Sequence, residues 1–319
     1  MYDYTNLKQK VIVSENEVEC PVVNCDRRVN RMKKSSYKFD HSFFCDTHRI
    51  FISPSTFIYE NPTNNLLCHD LDDMDLLSRI DIYKRESRMK FNNSEDAMTW
   101  SVFRFLEKHK LIDKYLSKLL GTEVKGSEIV YWSFSQKYNG IYSPLKMSRE
   151  EFETNPEKGS EPDIIIETND SLIIVEAKLT ATNQTISQST KNENKYVTGG
   201  EKLWDSLFQQ SFTNICVDEK KYELARFWLL GNWMATREHK RFFLINLVCG
   251  RSEKEIVESF TKLIKKSSSS EFLRSTWEDI LRFVADEKSP KYNPLIDYLE
   301  NRTVGYDSYG NLIKALMLE

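Results

Sequence analysis

The stretch from Glu161 to Thr180, EPDIIIETNDSLIIVEAKLT, constrains this chain more than any other. Two runs of Ile, Leu and Val flank Thr168-Asn169-Asp170-Ser171. Short apolar runs bounded by turn residues read as buried strands. Asn and Asp tolerate the left-handed backbone of a tight hairpin. With Asn169-Asp170 at the tip, Thr168 faces Ser171, and carrying that register outward sets Asp163 opposite Glu176. Facing Cβ atoms in such a pair lie ~5 Å apart. Side chains alternate along a strand, so Lys178 shares the face of Glu176 while Ala177 points away.

Burying an unpaired charge costs several kcal/mol, so these three groups need compensation or a purpose. Two close carboxylates repel unless a cation lies between them. Mg²⁺ prefers carboxylate oxygens and keeps several waters, and a lysine alongside can orient or help deprotonate one of them. The constellation therefore suits metal-assisted hydrolysis. The plainer alternative is a pair of strand-end acids, solvated or neutralised by Lys178. Glu123-Val124-Lys125 and Glu238-His239-Lys240 share the acid-x-Lys pattern, but only Glu176-Ala177-Lys178 ends an Ile/Val strand that follows a strand opening with Pro-Asp.

Pro162-Asp163, twelve intervening residues, then Glu176-Ala177-Lys178 resembles the signature of the PD-(D/E)xK nuclease superfamily. The resemblance covers roughly residues 93 to 250. It implies a restriction-endonuclease-like α/β fold, with a mixed central sheet flanked by helices. It also implies that Asp163 and Glu176 bind Mg²⁺ or Mn²⁺, that the backbone carbonyl of Ala177 adds a ligand, and that Lys178 acts on the attacking water. Many members add an acid from the helix before the first core strand. Glu95 is the candidate here and Asp96 the alternative, although both acids also suit a positive helix N-terminus. Some members place a Gln on the helix after the Lys strand, where Gln209 and Gln210 stand. The activity implied is a DNA endonuclease of restriction or defence type. A repair or recombination nuclease, an RNA nuclease and a non-catalytic nucleic-acid-binding protein stay open.

Three regions are expected: a zinc-binding module over residues 1–62, a linker and helix over 63–92, and the nuclease-like domain over 93–319. Ser94 or Asn93 can cap a helix that stops at Gly121. Residues 127–136 alternate like a strand, and RFFLINLV at 241–248 reads as another. Helices are expected at 201–214, 221–238, 252–267, 271–287 and 294–302. The aromatic residues of FRF, RFW and LRSTW fall at helical spacing and read as core.

Six cysteines in a chain with no apolar leader and no run of ~18 apolar residues suggest a soluble, cytoplasmic protein whose cysteines are thiols or metal ligands. Cys20 and Cys25, then nineteen residues, then Cys45 and His48 match tetrahedral zinc in ligand type and spacing, with His41 as a substitute for His48. Cys68, Cys216 and Cys249 read as buried thiols. Between the ligand pairs, Arg27, Arg28, Arg31, Lys33 and Lys34 place five cations within eight positions. The net charge is −3, so positive potential for a polyanion must be local, and this loop is the candidate DNA contact. No methyltransferase or ATPase motif occurs, and a homodimer stays open.

Overall fold

The computed structural model describes residues 6–32, 39–53, 55–187 and 193–317. In chain order the strands are β1 (Glu17–Glu19), β2 (Arg28–Asn30), β3 (Phe44–Cys45), β4 (Ile50–Ile52), β5 (Phe57–Tyr59), β6 (Glu128–Tyr131), β7 (Phe134–Ser135), β8 (Gly140–Ile141), β9 (Ile164–Glu167), β10 (Ser171–Ala177), β11 (Arg241–Val248), β12 (Ser270–Thr276), β13 (Thr303–Tyr306) and β14 (Leu312–Lys314). The helices are α1 (Leu71–Asp81), α2 (Glu95–Lys108), α3 (Ile112–Leu120), α4 (Ser143–Phe152), α5 (Glu193–Leu207), α6 (Tyr222–Arg237), α7 (Ile256–Thr261), α8 (Trp277–Asp286) and α9 (Asn293–Glu300). The chain divides into two compact units. One comprises Met1–Asp70, Ser87–Phe105 and Trp277–Glu319, and the other Leu71–Glu86 and Leu106–Thr276.

The second unit is built on a seven-stranded sheet ordered β12-β11-β10-β9-β6-β7-β8. β10 pairs with β11 and β11 with β12 in parallel, and every other pair is antiparallel. All residues of β10 and all but the first of β11 are buried, which explains their near-continuous apolar sequence. Val130, Ile165, Leu172, Ile174, Phe242, Leu244 and Phe272 form one core with residues of α4 to α7. α6 comes close to β11 because Gly231 has no side chain: a Cβ there would lie 2.1 Å from the Phe242 ring.

The hairpin has the register the turn chemistry predicts, with Leu172 opposite Glu167 and Val175 opposite Ile164. The Thr168 N–H donates to the Ser171 carbonyl (2.9 Å), and Asp170 Oδ1 accepts from the hydroxyls of Thr168 and Ser171 (3.2 and 3.0 Å).

Several expected elements differ. The strand read over 127–136 is broken into β6 and β7 by a turn at Trp132, whose φ is +54°. The helix read over 271–287 is strand β12 followed by helix α8: an edge position beside β11 supplies a ladder that outweighs local propensity. The helix read over 201–214 runs instead from Glu193 to Leu207, with left-handed backbone at Gly200, Glu201 and Lys202, and a π turn follows at Asn214–Asp218.

In the first unit, β1 and β2 pair, β3, β4 and β5 form an antiparallel sheet, and β13 pairs with β14. Cys20, Cys25 and Cys45 share a core with Val18, Ile50, Ile52, Phe57 and Tyr59. Residues 277–319 join this unit through buried polar contacts. Arg302 donates to Asn65 Oδ1 (2.6 Å), Asn65 Nδ2 donates to the Met89 and Phe91 carbonyls, and the Tyr306 hydroxyl donates to the Lys8 carbonyl (2.9 Å). Ser94 caps α2 by accepting from the Ala97 N–H (3.0 Å). Phe103, Phe105, Phe227, Trp228 and Trp277 are all buried, as expected of core, although residues 273–276 of LRSTW lie in strand β12 rather than in a helix.

Candidate active site and metal cluster

The hairpin places Asp163, Glu176 and Lys178 at one end of the sheet. Asp163 immediately precedes β9, and its Oδ2 accepts the Ala177 N–H at 2.8 Å, so its carboxylate reaches across to the end of β10. Glu176 lies in β10, beside Asn246 of β11 in the parallel register, and is only 3 % exposed. Its Oε1 accepts from Lys178 Nζ (2.5 Å), while Oε2 is buried without a protein partner. The Lys178 backbone is pinned by its N–H to the Leu247 carbonyl (2.8 Å).

The sequence reading missed a third carboxylate. Glu223, in the first turn of α6, meets Lys178 Nζ through Oε2 at 2.9 Å. The ammonium therefore lies between two acids from different elements. Glu223 is itself held. Its N–H donates to Thr185 Oγ1 (2.8 Å), and its Oε1 meets Arg226 Nη2 (3.4 Å). The Arg226 guanidinium lies over the Tyr222 and Phe227 rings, 5.4 and 4.9 Å from their centroids. An acid in a helix's first turn is commonplace, so the sequence offered no signal for Glu223 beyond its favourable dipole position.

Burial drives the electrostatics. It pushes the Glu176 carboxyl well above the usual carboxylate range, with the Glu223 and Asp163 charges adding and Lys178 opposing. Burial alone would lower Lys178, but Glu176, Glu223 and Asp163 together raise it above an ordinary lysine. Glu223, which burial would raise, is held below its ordinary value by Lys178 and Arg226. A buried acid that resists ionisation and carries an unused oxygen fits a cation ligand, because a divalent ion would supply both the missing charge and the missing partner.

A second network, also unforeseen, ties together the chain segments leaving β10 and β11. Asn183 and Asn246 both point their amide N–H₂ groups at Glu253 Oε2 (3.0 and 2.8 Å), and Asn183 Nδ2 also donates to Asn246 Oδ1 (2.6 Å). Glu253 holds a left-handed backbone with φ +50°, a conformation that surrounding contacts must impose on a non-glycine residue. Arg274 adds bonds to the Gly250 and Ser252 carbonyls (2.8 and 2.7 Å).

With that geometry in place, comparison with known proteins supplies the family. A family model described as Restriction Endonuclease associating with ARP matches residues 36–302. The chain belongs to this family. No curated protein and no solved structure matches it. The family match covers the hairpin, α6 and the Asn183–Asn246–Glu253 network, as well as Cys45 and His48, and begins after Cys20, Cys25 and Arg31.

This restriction-endonuclease family member also carries a Cys₃His cluster. One ligand atom from each of Cys20, Cys25, Cys45 and His48 lies within 4.8 Å of all the others. Cys20 Sγ is 3.5 Å and Cys45 Sγ 3.7 Å from His48 Nδ1, and Cys25 Sγ is 3.9 Å from Cys45 Sγ. The edges of a tetrahedron with metal bonds of 2.0–2.3 Å are roughly 3.3–3.8 Å long, so the four groups could hold a structural metal. Hydrogen bonding from Cys20 draws the Cys45 thiol down to about 4 and pushes Cys20 up, so one sulfur favours the thiolate that a metal requires. His41 is exposed and stacks edge-on against Phe44 instead.

The remaining candidates lie on other elements. Glu95 opens α2 in the first unit, outside the unit that holds the hairpin, and Asp96 accepts the Arg88 N–H (2.9 Å). Gln209 follows α5 and donates its side-chain amide to the Ile264 carbonyl (2.8 Å), and the Gln210 carbonyl accepts from Trp204 Nε1 (3.1 Å). The side chain that meets Lys178 comes from α6 rather than from the helix directly after the Lys strand. Arg27 pairs with Asp46 (2.5 Å), Arg31 donates to the Ser14 carbonyl (2.9 Å) and Arg28 is exposed. Lys33 and Lys34 lie outside the described residues. None of the described helices is long and apolar enough to cross a membrane.

Proposed function

We propose that the chain is a Mg²⁺-dependent DNA endonuclease of restriction or defence type. The observation that carries this reading is the meeting of Asp163, Glu176 and Lys178 at the end of a buried hairpin, with one Glu176 oxygen unpartnered. Membership of a family described as restriction endonucleases supports DNA as the substrate. Asp163, Glu176 and the Ala177 carbonyl would hold Mg²⁺ or Mn²⁺. A divalent ion there would supply charge for the phosphoryl oxygens and would lower the pKa of a bound water. Lys178 orients a water for attack on phosphorus and compensates the negative charge that develops. The bond from phosphorus to the leaving oxygen breaks as the water's oxygen bonds to phosphorus; the attacking water gives up a proton to solvent, and the leaving oxygen takes one up from solvent. Cys20, Cys25, Cys45 and His48 would bind one structural Zn²⁺, and the basic residues from Arg27 to Lys34 would contact phosphates.

The test is nicking of supercoiled plasmid by purified protein with and without Mg²⁺. Wild type should nick only with the metal, and Asp163→Ala and Glu176→Ala should lose activity while keeping their fold. Full activity in either variant would overturn the assignment.

A further inference from the structure

Lysine is a poor choice for a precisely placed group. Its ammonium ends a flexible four-carbon stem with much rotamer freedom. With Glu176 as its only partner, the Lys178 ammonium would follow that carboxylate wherever a cation drew it. The second anchor described above changes this. Glu223 reaches Lys178 Nζ at 2.9 Å from a separate element, and is itself restrained by Arg226 and by the Thr185 hydroxyl on its backbone N–H. Thr185 also accepts the Tyr222 N–H through its carbonyl (3.0 Å), which locks the start of α6 to the chain leaving β10. The Glu223 and Lys178 side chains are 19 % and 12 % exposed, so the pair is largely shielded from competing water.

We propose that Glu223 is a positioning residue for Lys178: it retains the ammonium at the reaction site when Glu176 turns its oxygens to a divalent cation. This deepens the nuclease reading and rests on it for the catalytic consequence, although the clamp itself does not. Glu223 acts only through Lys178, so its removal should affect the chemical step and leave DNA capture alone. Misplacing a reacting group by about 1 Å can lower a rate on the order of a hundredfold.

The experiment measures Mg²⁺-dependent plasmid cleavage by the full chain carrying Glu223→Gln, Glu223→Leu, Lys178→Met, or Lys178→Met with Glu223→Leu. Gln nearly preserves the shape and keeps an acceptor, so it also guards against a variant that fails to fold. The expected loss in kcat is about tenfold for Gln and on the order of a hundredfold for Leu, with KM for DNA unchanged. The double variant should be no slower than Lys178→Met alone. Wild-type kcat in both Glu223 variants, a change confined to KM, or a double variant slower by the product of the two single losses would each overturn the proposal. A parallel readout is the rate at which an amine-acylating reagent labels Lys178, followed by mass spectrometry without Mg²⁺. Labelling should be slow in wild type and faster in Glu223→Gln, and equal rates would overturn the clamp. If wild type fails to cleave DNA at all, the nuclease reading falls, and the labelling result alone decides whether Glu223 positions Lys178.

Discussion

Replacing Lys178 with Met removes a cation shared by Glu176 and Glu223 while keeping a flexible apolar stem. In the wild type the ammonium sits 2.5 Å from one carboxylate oxygen and 2.9 Å from the other, with the three side chains 12 %, 4 % and 19 % exposed. Taking one partner from a buried ionic group costs about 3–5 kcal/mol, because the remaining charges are left uncompensated. For a cooperative unit of 150–250 residues, each kcal/mol shifts Tm by roughly 2–4 °C, so a fall of about 6–20 °C is expected at pH 8 in Mg²⁺-free buffer. Two changes should recover part of it: Glu223→Gln, which removes one of the opposed charges, and added Mg²⁺, which replaces the cation. The pH dependence follows from the directions of the shifts. Glu223 is held low by Lys178 and Arg226, so its contribution in the wild type is present above its unfolded pKa and is lost as pH falls through its folded value. Burial holds Glu176 high and Lys178 opposes that, so its carboxyl rises further in the variant, and the added penalty grows as pH rises above its unfolded pKa and is absent in acid. Both effects make the deficit of Lys178→Met largest at pH 8 and smaller at pH 5. Thermal unfolding followed by circular dichroism at the two pH values measures it. A variant within 1 °C of wild type at pH 8, unmoved by Glu223→Gln, would refute the idea that Lys178 neutralises two buried acids.

Three further outcomes are expected. Zinc should be present at about one atom per chain, as a four-ligand structural site implies, and Cys45→Ser should lose it and destabilise the first unit; elemental analysis of protein purified without chelator checks this. Gly231→Ala should cost about 1–3 kcal/mol by urea denaturation, because the new Cβ collides with a Phe242 ring buried under α6. Changing Arg27, Arg28, Arg31, Lys33 and Lys34 to Gln should weaken DNA binding for all sequences alike and flatten the log K against log salt slope by roughly 0.9 for each phosphate no longer neutralised, as titrations at several salt concentrations would show.

What could be read from the sequence was local. The hairpin register needs only a two-residue turn and period-two alternation, so the neighbourhood of Asp163, Glu176 and Lys178 follows from twenty residues of chain. The Cys₃His cluster is legible for a similar reason, since its ligands come in close pairs whose chemistry is distinctive. Glu223 is different. Its approach to Lys178 depends on α6 packing over β10 and β11, on Gly231 admitting the Phe242 ring, and on Thr185 fixing the start of the helix. No residue spacing encodes such an arrangement. Strand β12 was hidden in the same way: SEFLRST has no strong strand pattern of its own, and its ladder with β11 overrides the helical reading that the following amphipathic residues suggest. The Asn183–Asn246–Glu253 network joins residues up to seventy positions apart: burial drives the amide N–H₂ groups onto protein acceptors, while Asn183 Oδ1 accepts no hydrogen bond. The elements readable in advance are thus those that present the chemical groups. The groups that restrain them arrive from elsewhere in the fold, and that is where a search for residues controlling the rate, rather than the identity, of the reaction should be directed.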